Sequence, residues 1–226
     1  KQISFVMGQK NQLWWDLPAL DTLYLNKEIY DIPDNKFHNI VEELSKLLDV
    51  KDLLKIQVKK LSLGQRMKCE LIASLIHFPK VLFLDEPTIG LDVVMQKKLR
   101  EFIKEYNKRY KATIILTSHY MDDVEDLCKR VIVVNRGKIV FDGNLSDLIK
   151  RYAPYKIISV TLEENIDPKS IDSSLEVITF LYPRLVLKVK NEKVNDTASQ
   201  ILKNFKTRDL TIEDADIEDV IRRVYE

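Results

Sequence analysis

Glycine is scarce in this 226-residue chain: Gly8, Gly64, Gly90, Gly137 and Gly143 are all there is. Nowhere do they fall into the GxxxxGK[ST] pattern of a phosphate loop, so that backbone cradle for a triphosphate is absent. The two cysteines, Cys69 and Cys128, lie far apart without CxxC spacing, which excludes a disulfide framework or a cysteine-based zinc site. No apolar run approaches the ~20 residues that a membrane helix needs, and the opening KQISFVMGQ lacks the layout of a signal peptide. An excess of one charge is missing too. Lysine plus arginine total 36 against 35 acids, a net of +1 without a basic stripe, so a nucleic-acid partner is not expected.

What is present suffices for a packed core, with 45% hydrophobic residues and a mean hydropathy of −0.19. Ile3 to Val6 reads as a short strand, followed by the polar, aromatic loop GQKNQLWWDLP. From about residue 18 to 79 the pattern is helical. Ile40, Val41, Leu44, Leu47 and Leu48 share one face after Pro33, and Met67, Leu71, Ile72, Leu75 and Ile76 form a second stripe that Pro79 ends. Then come the apolar runs VLFL (81–84), TIILTS (113–118) and VIVVN (131–135), separated by helical segments. Unalternating strands of this kind predict a parallel sheet covered on both faces. Asn135-Arg136-Gly137-Lys138 reads as a hairpin turn into KIVFDG.

Beyond about residue 153 the texture changes. IISVTL and LVLKVK alternate apolar with polar residues, and helix faces follow at Val194, Ala198, Ile201 and Leu202, then at Ile217, Val220, Ile221 and Val224. If DPKSI holds a short helix, the order is βαββαβ plus a terminal helix, as in a ferredoxin-like module. The spacing thus predicts an α/β domain over 1–152 and an α+β accessory domain over 153–226.

Two stretches carry candidate chemistry. KVLFLDEP drives a strand into Asp85 and Glu86, and ligands of open parallel sheets lie beyond the carboxyl ends of strands. An aspartate there suits Mg²⁺, and a glutamate one residue on can hold a water for attack on a phosphoryl group. Taken alone, the same residues also describe a strand ending in a solvated acidic turn. In LSLGQRM, Ser62 followed by Gln65 is a capping box, so a helix begins there with its N–H groups open to an anion. Gly64 has no side chain to hold a phosphate off that turn.

Together, LSLGQ, VLFLDEP, TIGLD and TSHY, in this order and spacing, resemble the nucleotide-binding domain of ABC transporters over about residues 1 to 150. The four match that family's signature motif, Walker B, D-loop and switch histidine, and the C-terminal module resembles an extension of exporter-type subunits. The resemblance implies a P-loop NTPase-like fold with ATP and Mg²⁺. By it, Asp85 positions the metal, Glu86 acts as general base and His119 contacts the γ-phosphate. Ser62, Leu63, Gly64 and Gln65 close over an ATP held by the opposite protomer, and Asp92 lines the dimer seam. Gln9 becomes the metal-reaching glutamine of the Q-loop, with Gln12 as its rival. Trp14 and Trp15 become candidates for the groove that receives a membrane permease, although one of them could equally pack in the core.

Two departures stand out: Leu63 replaces a usual glycine, and the phosphate loop is missing. The expectation is a cytoplasmic ATPase subunit, peripheral on the inner membrane face, pairing as a homodimer or with another nucleotide-binding domain and driving export through a separate permease. The 226 residues are expected to be a shortened chain, inactive alone. A non-transport ABC ATPase and a non-catalytic dimerisation or regulatory module are the alternatives.

Overall fold

The apolar runs become strands of a parallel sheet. In the computed structural model, which describes residues 2–8, 10–172 and 175–225, β1 (Ile3–Met7), β2 (Val81–Asp85) and β3 (Thr113–Thr117) lie in the order β1-β2-β3. The register aligns Met7 with Asp85 and Asp85 with Thr117, so three strand ends finish level. Helices α1 (Ala19–Tyr30), α2 (Asp34–Leu47) and α3 (Leu63–Leu75) fill the stretch between β1 and β2. Pro33 precedes α2 at its N-cap with an extended backbone, as its fixed φ favours. After β2 come α4 (Val93–Tyr110), β3 and α5 (Met121–Leu127).

The core of this region joins Val6, Leu82 and Leu84 of the sheet to Leu23, Phe37, Leu44, Leu71, Ile72 and Leu99 of the helices. Only one sheet face is covered by the described residues. On the other, Ile3, Phe5 and Ile115 are exposed and Phe5 stacks on Phe83 at 4.4 Å. The expectation of a sheet buried on both faces is corrected accordingly. VIVVN also stands apart. It forms β4 (Arg130–Asn135), pairs antiparallel with β5 (Lys138–Asn144) and does not join the parallel sheet. Its apolar run hides an alternation, with Val133 buried while Ile132 and Val134 are exposed, which is the mark of a one-sided strand.

The chain divides into two compact units, Lys1–Leu127 and Cys128–Glu226. A boundary near residue 153 would leave the β4–β5 hairpin with the first unit. Its Val133 instead shares a core with Leu148 of α6 (Leu145–Tyr152), Ala153, Tyr155 and Val220 of α8 (Ile217–Tyr225).

The second unit's four-stranded antiparallel sheet contains β6 (Tyr155–Leu162), β7 (Glu176–Leu181), β8 (Arg184–Lys190) and β9 (Thr207–Asp214), ordered β7-β8-β6-β9. That order, with α7 (Val194–Asn204) between β8 and β9, is the split arrangement of a ferredoxin-like module. The first helix of that module is reduced to a single 3₁₀ turn at Pro168–Ser170.

Candidate functional site

The strand-end carboxylates are fixed by their neighbours. Thr117, paired with Asp85 across β2 and β3, donates its hydroxyl to Asp85 Oδ1 at 2.6 Å. Glu86, the next residue, has φ of 50°, in the left-handed region that disfavours a side chain. Other non-glycine residues with positive φ have ordinary reasons: Asp31, Asp49, Phe78 and Lys111 follow helix ends, and Arg136 sits in the β4–β5 turn. Among the described non-glycine residues with positive φ, Glu86 is the one that follows a strand of the parallel sheet, and such a conformation costs ~1–3 kcal/mol.

Four contacts hold Glu86 in place. Its N–H donates to the Thr117 carbonyl at 3.1 Å and lies 3.2 Å from the Thr117 hydroxyl. Its carboxylate Oε2 accepts the His119 backbone N–H at 3.1 Å, and Oε1 lies 3.3 Å from His119 Nε2. The fold therefore gathers Asp85, Glu86 and His119 at one place.

Gly8 is a residue that motif reading missed. A Cβ there would stand 2.0 Å from the Glu86 carbonyl oxygen, while the Gly8 N–H donates to the Asp85 carbonyl at 2.8 Å. Only glycine lets β1 run so close beneath the carboxylates. Asp123 was missed as well. Fully buried at the start of α5, it accepts from Thr88 at 2.5 Å, Ser118 at 2.7 Å and Arg100 at 3.1 Å. It thus ties the turn after Glu86 to the residue before His119. A signal existed, since Thr88 and Ser118 flank the two motifs and Asp123 lies four residues past the histidine.

The capping box forms as its spacing predicts. Ser62 caps α3 with its hydroxyl accepting from the Gln65 N–H at 3.3 Å, and Gln65 Oε1 accepts from the Ser62 N–H at 3.0 Å. Helix geometry leaves the N–H groups of Leu63 and Gly64 without an intrahelical acceptor.

Gly64 and Leu63 each acquire a packing reason. A Cβ on Gly64 would meet Met95 Cγ at 3.1 Å, so its absence serves the α3–α4 contact as well as access to the turn. The Leu63 side chain lies 2.8 Å from the Cβ position of Gly90, whose φ of 71° also requires glycine. Asp92 accepts the Met95 N–H at 2.9 Å and is the N-cap of α4.

Trp14 and Trp15 are 53% and 48% exposed, so neither is a core residue. Arg66 of α3 lies over the Trp15 ring at 5.9 Å. Gln12 is exposed, and its N–H donates to Glu70 at 3.2 Å. The assignment of Gln9 falls outside the described residues. His77 is half-buried. Its ring stacks on Tyr30 at 3.9 Å and burial lowers its pKa.

Among the described residues no group of three or more His, Cys, Asp or Glu could hold a metal unaided. Asp85 with Glu86 fits a hard ion that takes its remaining oxygens from phosphate and water, as Mg²⁺ characteristically does. No helix among the described residues is long and apolar enough to cross a membrane.

Known proteins resemble this chain. Residues 7–120 match the family described as "AAA domain, putative AbiEii toxin, Type IV TA system", and residues 154–213 match "EvrA-like ABC transporter, C-terminal domain". The ABC transporter ATP-binding protein NatA of Bacillus subtilis is 32% identical over 148 residues, 66% of this chain and 60% of that protein. An uncharacterised ABC transporter ATP-binding protein of Methanocaldococcus jannaschii is 32% identical over 147 residues, 65% of this chain and 56% of its own length. The linearmycin resistance ATP-binding protein LnrL of Bacillus subtilis is 28% identical over 162 residues, 72% of this chain and 52% of that protein.

The chain therefore spans between 52% and 60% of these relatives. Among solved structures, an ATP-binding subunit of an ABC transporter superposes with a TM-score of 0.59 at 22% identity, covering 66% of this chain and 61% of the other. A dimeric ATP-binding cassette in a post-hydrolysis state with ADP and Pi gives 0.56 at 21%, covering 64% and 63%. On these matches, the chain belongs to the family of ABC transporter ATP-binding proteins.

Proposed function

We propose that these residues supply two complementary parts of an ATP-hydrolysing site: an acidic strand tip, and a signature turn that serves the tip of a second copy. One observation carries the reading. Glu86 is held at a strained backbone angle beside Asp85, with the His119 N–H on its carboxylate. Strain of this kind persists where the surroundings impose it, and it aims the Glu86 side chain differently from that of Asp85.

In this reading Glu86 orients the attacking water and takes its proton, and His119 faces the terminal phosphate. Asp85, its orientation set by Thr117, would hold Mg²⁺, and the bound ion would offset charge on the phosphate oxygens. Ser62, Leu63, Gly64 and Gln65 meet the phosphates of the partner copy, with Asp92 at the seam. Gln9 or Gln12 reaches towards the metal. Trp14 and Trp15, both exposed, face a separate membrane permease, consistent with the enrichment of aromatics at interfaces. The pairing drives export from the cytoplasmic side of the membrane.

A phosphate loop is absent from the 226 residues, so on this reading they do not turn over ATP by themselves. That absence also favours a second reading, a non-catalytic dimerisation or regulatory module. The two separate on one experiment. With a GxxxxGK[ST] segment present, Glu86→Gln should bind ATP while phosphate release slows ~10²–10⁴-fold, the usual worth of a general base. An unchanged kcat removes Glu86 from the chemistry, and no release from the unsubstituted chain favours the module.

A further inference from the structure

Glu70 is a charged residue where the packing asks for an apolar one. It lies in the second turn of α3 between Cys69 and Leu71, 2% exposed, and its Oε2 has no hydrogen-bond partner among the described residues. Its other oxygen accepts the Gln12 N–H at 3.2 Å, and Arg66 Nε stands 3.5 Å away, an ion pair without an aligned hydrogen bond. A buried, half-satisfied carboxylate of this kind is rarely the most stable choice, since an apolar residue of similar volume often does as well or better. Stability of the helix therefore does not explain it.

What Glu70 touches does. Gln12 lies in the aromatic loop two residues before Trp14, and Arg66, the partner one turn earlier on α3, lies over the Trp15 ring. The same loop is held to the residues just before the Ser62 cap. The Val58 N–H donates to the Leu17 carbonyl and the Lys59 N–H to the Trp15 carbonyl, both at 3.0 Å, and Lys59 pairs with Asp16 at 2.9 Å. The loop is thus tied to the signature segment on both sides of the anion seat, ahead of the cap through the backbone and behind it through Glu70.

We propose that Glu70 is a positioning residue that binds the aromatic loop to the signature helix, with Arg66 as its link to Trp15. The loop and the Ser62–Gln65 turn then move as one body, so that whatever engages the exposed tryptophans displaces the anion seat. This inference goes beyond the nucleotide reading and is tested without nucleotide.

The test uses this chain with Trp14→Phe, so that emission reports Trp15 alone. Hydrogen exchange over residues 10–17 and acrylamide quenching of Trp15 are compared in Glu70→Leu and Glu70→Gln. Glu70→Leu keeps the volume and removes the acceptor, so loop exchange should quicken by about tenfold or more, with Trp15 quenching raised and the β2 amides unchanged. Glu70→Gln retains an oxygen for Gln12 and should behave as the parent. Unchanged loop exchange in Glu70→Leu overturns the proposal, as does equal loosening in both variants. Should Glu70→Leu not fold, Arg66→Met decides. It leaves the Gln12 bond in place, so quenching of Trp15 should rise while Gln12 stays protected, and unaltered quenching overturns the link.

Discussion

Gly8 and Glu70 show how single residues hold the site's geometry. At Gly8 the nearest backbone atom is 2.0 Å from where a Cβ would be, and that atom is the carbonyl oxygen of Glu86. Backbone cannot swing aside as a flexible side chain can, so Gly8→Ala must push β1 away from the carboxylates. Overpacking of this kind costs ~1–3 kcal/mol. Urea unfolding should show that loss, and the loss should exceed that of Gly137→Ala, where nothing lies within 4 Å and only a positive φ opposes the new Cβ. Equal losses would mean that β1 yields freely.

Glu70 offers a pH test. Burial raises its pKa from 4.5 to about 7, against the smaller opposing pull of the Gln12 N–H and Arg66. The folded state thus holds this proton more tightly than the unfolded state does. Its stabilising share is complete below about pH 4.5 and is lost as pH rises to about 7. Across that window the native chain should lose on the order of 1–3 kcal/mol relative to Glu70→Gln. Chemical unfolding of both at several pH values checks it, and parallel curves would contradict the shift.

At the scale of elements, α4 and α5 matter as the clamp behind the site. Asp123 gathers Thr88, Ser118 and Arg100, and Arg100 also reaches Asp126 at 2.9 Å, as an ion pair rather than an aligned hydrogen bond. Asp123→Ala strips one buried guanidinium of its closest aligned partner and frees two hydroxyls. The expected loss is about 3 kcal/mol, near the low end for a broken buried pair because Asp126 remains. A shift of the urea midpoint measures it, and a loss under ~1 kcal/mol would show that water replaces Asp123 readily.

What the sequence disclosed also sorts by element. The α3 start was legible because a capping box is local, with Ser62 and Gln65 three residues apart. β2 and β3 were legible because each is an unbroken apolar run, even though one sheet face, with Ile115 on it, is exposed. Long-range contacts left no such trace. Gly8 meets Glu86 only once β1 and β2 pair, and nothing in the α3 stripe showed that Glu70 would face inward. VIVVN misled for a related reason: β-branched residues suit an exposed strand face as well as a buried one. DPKSI is too short for more than one 3₁₀ turn.

At the scale of the whole molecule, each compact unit has its own core, and the acidic tip and the signature turn both belong to the unit Lys1–Leu127. The proposed chemistry places the tip of one copy opposite the turn of another, and mixing two defective variants tests that directly. With a phosphate loop present, Glu86→Gln lacks the base and Ser62→Arg blocks the anion seat, so neither alone should release phosphate. A mixed pair would hold one intact site, made from the Glu86 of one copy and the Ser62 of the other. Random pairing should then restore about a quarter of native turnover, whereas a mixture no more active than its separate components would contradict a site shared between copies.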